Sequence, residues 1–295
     1  MELIKSKTIL QKVTYGCSWY GLDYNMNLYR GCHHGCIYCD SRSECYHNDP
    51  FEKVRVKENA LMILEKELMT KRKKGVVGIG AMSDTYNRFE EQLQLTRSSL
   101  QLLLKYCFGV SIDTKSDLIL RDKDLLKQLN KQQPVIIKIT ITTPYDELSE
   151  KIEPHVCVSS KRFQVVKELA DEGLFVGIML NPILPFITDD EESIILMVQK
   201  AYESGAKFIH TYMGLTLRDQ QRNYYYEQLD QLFPGLRSIY ERTYGNQYIC
   251  SSKKAEKLYA LFIQECQKYH LLYKMEDIIN AYKIEKTYMK QLSLF

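Results

Sequence analysis

The chain has no uninterrupted apolar stretch approaching the ~20 residues of a membrane-spanning helix. Its first residues, MELIKSKTILQKVTYG, carry charges where a secretion signal needs an apolar run. Charge of one sign is also missing. The net value is +3 over 295 residues, so no strong field toward a polyanion is implied. Nine cysteines are present, but their spacings are not paired and their number is odd. Cys17, Cys45, Cys107, Cys157, Cys250 and Cys266 therefore read as reduced thiols rather than a disulfide framework. No solenoid-period repeat and no low-complexity linker occurs. These absences exclude a membrane span, a stapled secreted scaffold and a repeat array, and they predict a soluble cytoplasmic protein. Hydrophobic residues at 45% suit an ordinary globular core.

Six β-branched or apolar runs alternate with stretches of helical periodicity. The strands are expected at 24–30, 75–80, 108–114, 135–142, 174–181 and 206–213, and the helices between them near 57–73, 90–105, 122–131, 160–172 and 190–204. Gly173 and Gly205 stand where two of these helices stop. Such alternation gives a parallel sheet with right-handed crossovers. The fold class expected is α/β, as a partial, TIM-like (β/α)6 barrel with a mostly helical C-terminal extension. A doubly wound open sheet is the alternative, although no phosphate-binding glycine fingerprint follows the first strand. The expected organisation is a lead-in over 1–24, the partial barrel over 25–215 and the extension over 216–295. Helices are expected in the extension near 222–232, 252–269 and 275–289, and it would cover the open side of the barrel.

Against the scattered thiols, one stretch concentrates them: NLYRGCHHGCIYCDSR, with Cys32, Cys36 and Cys39 inside eight residues. Gly31 and Gly35 let the backbone fold tightly enough for three thiolates to converge. Thiolates select soft metals, chiefly zinc and iron–sulfur clusters. Structural zinc takes four ligands, usually in two separated pairs. Three close cysteines without a partner pair suit a cubane that keeps one iron open. An alternative remains: the thiolates hold a structural metal, zinc or iron–sulfur, in a non-catalytic adaptor associated with nucleic acid. His33 and His34, in the same loop, read as neighbours of the metal rather than ligands.

This CxxxCxxC after a first strand, with Tyr38 just before the last cysteine, resembles the radical S-adenosylmethionine enzymes. The longer string is similar to the branch related to spore photoproduct lyase. So are SDTYNRFE (83–90), LTR (95–97), TKS (114–116), RD (121–122) and IEP (152–154). The resemblance implies a [4Fe–4S] cluster on the three cysteines and S-adenosylmethionine on its open iron. It further implies an external electron donor and cleavage of the cofactor to a 5′-deoxyadenosyl radical. The implied substrate is DNA or another nucleic acid.

In such barrels the chemistry sits at the C-terminal ends of the strands. There Lys115 can pair the methionine carboxylate, with Ser83 bonding the same end. The resemblance adds Thr114 and strengthens Ser83 and Lys115. Thr140 and Thr142 are candidates for the ribose hydroxyls, and the backbone from Gly177 to Asn181 for the adenine edge, where the missing side chain of Gly177 allows close approach. Glu153 and Arg162 read either as a structural ion pair or as ligand contacts. His210 reads either as a ligand contact or as a core histidine.

One position departs from the family pattern. The lyase carries a hydrogen-donating cysteine two residues before the serine matched by Ser83. Here Ala81 stands there, and alanine cannot return a hydrogen atom. Finally, Gln291, Leu292, Ser293, Leu294 and Phe295 resemble the peptide that holds bacterial repair proteins on the DNA sliding clamp. Gln291 would bond a pocket rim while Leu292, Leu294 and Phe295 fill an apolar cleft.

Overall fold

The computed structural model describes residues 2–13, 19–47 and 50–292, with side chains described as far as Lys283. The chain opens with strands β1 (Glu2–Ile4), β2 (Leu10–Lys12), β3 (Tyr24–Met26), β4 (Tyr29–Arg30) and β5 (Arg55–Lys57). Then come α1 (Ala60–Thr70), β6 (Val76–Ile79), α2 (Glu90–Leu93), α3 (Leu95–Lys105), β7 (Gly109–Thr114), α4 (Lys123–Gln132) and β8 (Val135–Thr140). They are followed by α5 (Asp146–Ile152), α6 (Ser159–Asp171), β9 (Val176–Leu180), α7 (Glu191–Glu203) and β10 (Phe208–Thr211). The C-terminal region holds β11 (Gly214–Thr216), α8 (Asp219–Leu232), α9 (Leu236–Tyr244), β12 (Ile249–Ser251), α10 (Ala255–Lys268) and α11 (Met275–Leu292).

The principal sheet runs β10-β9-β8-β7-β6-β3-β2. Its strands from β3 to β10 are parallel, and β2 is added antiparallel at one edge. The order follows the chain without reversal, so there is no topological switch point of the doubly wound kind. This is an α/β partial barrel whose sheet does not close. Among the described residues no helix is long and apolar enough to cross a membrane.

Alternation along the strands decides what each face holds. In β8, Ile137 and Ile139 join the layer under the helices, packing with Leu126, Leu129, Val166 and Leu169. Ile136 points inward and packs with Val76, Met179 and Phe208. Tyr20 from the lead-in and Ile278 and Tyr282 from α11 fill the same interior cluster. Lys138 and Asp113 share that interior, 2.8 Å apart, with Lys138 fully buried. Aliphatic packing is interrupted there because a buried ammonium needs its carboxylate.

Several local features differ from the sequence pattern. The strand expected at 24–30 divides, because β4 leaves the main sheet and pairs with β5 in a three-stranded sheet. The helix expected at 90–105 breaks at Gln94, whose φ is +49°. The Glu90 carboxylate accepts the Thr96 N–H at 3.0 Å and so caps the second segment from outside it. The C-terminal region is not purely helical, since β11 and β12 pair antiparallel.

Candidate functional site

The three-cysteine loop begins where β4 ends, and hydrogen bonds pin it on both sides. Cys32 N–H donates to Phe51 O at 2.8 Å, and Ile37 N–H to Ile152 O at 3.0 Å. Gly31 has φ +77°, and a Cβ there would lie 2.6 Å from the carbonyl oxygens of Phe51 and Lys53. Gly35, at φ +71°, lies under Pro154 and His155, whose atoms a Cβ would meet at 2.9–3.0 Å. Both positions therefore require glycine. Cys32 and Cys36 are buried and Cys39 half-buried, and all three line one cavity of about 220 Å³.

Burial pushes the Cys32 thiol up to about 12 and raises Cys36 further above the usual thiol value. Without metal these thiols stay protonated; a metal centre deprotonates a coordinating thiol outright. Among the described residues no three His, Cys, Asp or Glu side chains gather to hold a single ion. Ligands of one zinc would have to converge to within ~2.3 Å of a common point. Thiols spread around a shared cavity suit a larger cluster, and the donor set fits one.

Ser83, Thr114, Lys115 and Thr140 line the cavity with the cysteines. The Ser83 hydroxyl donates to Gly31 O, tying the β6 end to the cysteine loop. Thr114 donates to Asp84 at 2.8 Å, and Asp84 also accepts the backbone N–H of Lys115 at 2.8 Å. The Lys115 side chain is half-buried, and among the described residues it has no ion-pair partner. Its ammonium lies 5.7 Å from the Tyr38 ring centroid. Burial works against its charge, but attraction to Cys36, Glu153 and Cys39, the thiols counting only once ionised, outweighs that and holds Lys115 above the usual lysine value.

Thr142 and Asn181 do not line the cavity. The Thr142 hydroxyl donates to Glu153 at 3.3 Å behind the loop. The Asn181 side-chain oxygen accepts the Tyr212 N–H at 2.6 Å. Gly177 leaves space for the Phe208 ring rather than for an adenine, a Cβ there standing 2.4 Å from it. His210 packs against Trp19 and Tyr20. Glu153 and Arg162 form a buried ion pair outside the cavity, in which Glu153 also accepts the Tyr38 hydroxyl. Ala81 lines the cavity. Among the described residues no cysteine outside the loop does so: Cys157 opens on a neighbouring cavity, Cys107 lies on the surface and Cys250 is buried in the C-terminal region.

Trp19, His34, Met82, Asp84, Asp113 and Met179 also line the site; sequence reasoning placed His34 beside the metal and gave the others no role there. Asp84 stood inside the SDTYNRFE string. Asp113, a charge inside a buried strand, was a signal of a polar interior. Nothing in the local pattern marked Trp19 or Met179.

Three thiols and the Lys115 ammonium, which has no ion-pair partner among the described residues, share the C-terminal edge of this half-barrel, and residues 26–198 match the Radical SAM superfamily. The chain belongs to that superfamily, and its cofactors are a [4Fe–4S] cluster and S-adenosylmethionine. An uncharacterised protein of Mycobacterium tuberculosis is 29% identical over 228 residues, covering 75% of this chain and 67% of that one. Another from Methanocaldococcus jannaschii is 34% identical over 174 residues, covering 58% of this chain and 64% of that one. Among solved structures, spore photoproduct lyase complexed with dinucleoside spore photoproduct superimposes with a TM-score of 0.63. It is 15% identical, and the match covers 90% of this chain and 79% of that one. The radical S-adenosylmethionine methyltransferase TsrM from Kitasatospora setae reaches 0.52 at 11% identity, over 83% of this chain and 51% of that one. At such identities these structures share the fold.

Proposed function

We propose that this radical S-adenosylmethionine enzyme acts on DNA or another nucleic acid, with Cys32, Cys36 and Cys39 as the cluster ligands. The observation that carries the assignment of the site is Lys115. A half-buried ammonium without a carboxylate partner among the described residues, beside three thiols, is poised for an anionic ligand. Cys32, Cys36 and Cys39 would hold the cluster, which when bound would supply the electron for reductive cleavage of S-adenosylmethionine. Lys115 has only donors and meets the methionine carboxylate. Ser83 spends its proton on Gly31 O, so it can only accept and meets the methionine ammonium. Thr140, whose hydroxyl is unengaged among the described residues, and Asp113 on the cavity floor face the ribose. The electron comes from an external donor, and a reducing cytoplasm suits the free thiols.

The experiment is anaerobic reconstitution followed by reduction with S-adenosylmethionine present. Formation of 5′-deoxyadenosine by the unaltered chain and none by C36A is the expected result. Equal formation by both would remove the cysteine loop from the reading. The nucleic-acid substrate is supported by the fold shared with a lyase solved with a dinucleoside photoproduct. Ala81 argues for an outcome other than the lyase reaction, since no thiol faces substrate at that position.

The clamp-like peptide Gln291–Phe295 supports the same substrate class. Ser293, Leu294 and Phe295 lie outside the described residues, as do the side chains of Gln291 and Leu292. Tethering to a sliding clamp would deliver a weakly charged enzyme to DNA. Full-length protein should bind the bacterial clamp, and a chain ending at Lys290 should not. Equal binding by both would dismiss the peptide.

A further inference from the structure

The chain has a single tryptophan, and 45% of its surface is exposed. Trp19 lines the same cavity as the three cysteines and Lys115. The backbone that presents it is a tight turn. Leu22 N–H donates to Trp19 O at 3.4 Å, and the central residues Tyr20 and Gly21 have φ of +47° and +59°. Two positive φ values in succession make a primed turn. For a tyrosine that conformation is an outlier which the surroundings must enforce.

They do so from the barrel interior. Tyr20 is fully buried, its hydroxyl donates to Met179 Sδ at 2.7 Å, and its carbonyl accepts the Tyr282 hydroxyl at 2.5 Å. The turn thus drives one aromatic ring into the core and holds its neighbour at the cavity wall. The indole meets Tyr20 at 5.3 Å and His210 at 5.6 Å, with ring planes 84° and 88° apart. Neither neighbour lies parallel to it, so neither is stacked on it.

The geometry points to Trp19 as a platform on which a planar nucleobase ring stacks inside the cluster cavity, resting on the reading of that cavity as the cofactor site. A ring already fixed by its turn loses little freedom on binding, and aromatic stacking accepts any base because each has a π-face. Two sources share this chemistry: the adenine of S-adenosylmethionine and a base of the nucleic-acid substrate.

The test uses the anaerobic holoenzyme and the emission of its one tryptophan. One arm adds S-adenosylmethionine, the other a short single-stranded oligodeoxynucleotide, with binding followed in parallel by equilibrium dialysis. Saturable quenching in either arm is the expected result, and the arm that quenches names the source of the ring. W19L should then bind that ligand roughly 5- to 150-fold more weakly, the equivalent of one lost stack, with W19F in between. A structural role for the indole would be met nearly as well by leucine as by phenylalanine. Unchanged emission at saturation, or W19L binding as tightly as the unaltered enzyme, overturns the proposal. Cofactor cleavage by the unaltered enzyme is measured separately. A cofactor cleaved without perturbing Trp19 or needing its ring therefore overturns the adenine stack and leaves the functional reading standing.

Discussion

Two cations lie near Tyr38, Lys115 over its ring and Arg162 through Glu153, and their surroundings are opposite. Arg162 is fully buried and every arm of its guanidinium is engaged. Nε donates to Cys157 O at 2.7 Å, Nη1 to Thr140 O at 2.8 Å, and Nη2 to Ser149 Oγ at 2.7 Å and to Glu153. Lys115 is half-buried and has the Tyr38 ring, but among the described residues no carboxylate pairs with it at ion-pair distance. Saturation marks a group that holds the loop in place; unspent capacity marks one that waits for a ligand. The same contrast separates the Glu90–Arg121–Asp122–Arg97 network, where each charge has an opposite partner, from Lys115.

The largest effect should come from removing the thiols of the loop that both cations neighbour. Any of C32A, C36A or C39A should take iron from four per chain to near none and abolish 5′-deoxyadenosine formation. Iron analysis of the reconstituted proteins checks this, and a C36A protein retaining four irons would count against the assignment.

E153Q addresses the saturated cation and should cost about 3–5 kcal/mol in urea denaturation, because it strands a buried guanidinium. Its pH dependence has a definite sign. Burial alone would raise the Glu153 carboxyl, but Arg162 and Lys115 outweigh it and hold it below its ordinary value near 4.5. The stabilisation is therefore fully present above that ordinary value and is lost as pH falls through the lower folded-state value. The stability curves of E153Q and the unaltered protein should converge in acid; parallel curves would deny the pair its role.

K115A should reverse the pattern. Stability should fall by less than it does in E153Q. Affinity for S-adenosylmethionine should fall about tenfold or more, since a charge-assisted bond contributes roughly 1.5–3 kcal/mol. Titration of the cluster-loaded protein reads it, and an unchanged dissociation constant would assign Lys115 to solvent. The smallest signal is expected with the dinucleotide photoproduct, which should not be turned over to thymines with Ala81 facing the cavity. Full turnover would show that another group supplies the hydrogen atom.

The contrast between the two cations also explains what could be read in advance. Strands such as Val135–Thr140 were legible because β-branched residues run through them, and the cysteine spacing was legible because it is local. The strings SDTYNRFE, RD and IEP were visible, but their roles were not. Ile152, Glu153 and Pro154 all brace the cysteine loop through contacts more than a hundred residues apart in sequence. Thr142 looked equivalent to Thr140 by periodicity, yet β8 ends at Thr140 and the chain then turns Thr142 toward Glu153. The tyrosine-rich segment 224–248 conveyed composition without period, so α9 and the β11–β12 pair could not be anticipated.

The bond from the Tyr282 hydroxyl to Tyr20 O joins residues 262 positions apart. On a ribosome adding ~5–20 residues per second, the first partner waits on the order of tens of seconds for the second. The cysteine loop and all six parallel strands are made before α11 arrives. The half-barrel therefore passes through synthesis with its floor open, and the turn bearing Trp19 acquires its last support only when the final helix docks. Wall and mouth of the cavity are early products of the chain; the bond that completes the Trp19 turn is a late one.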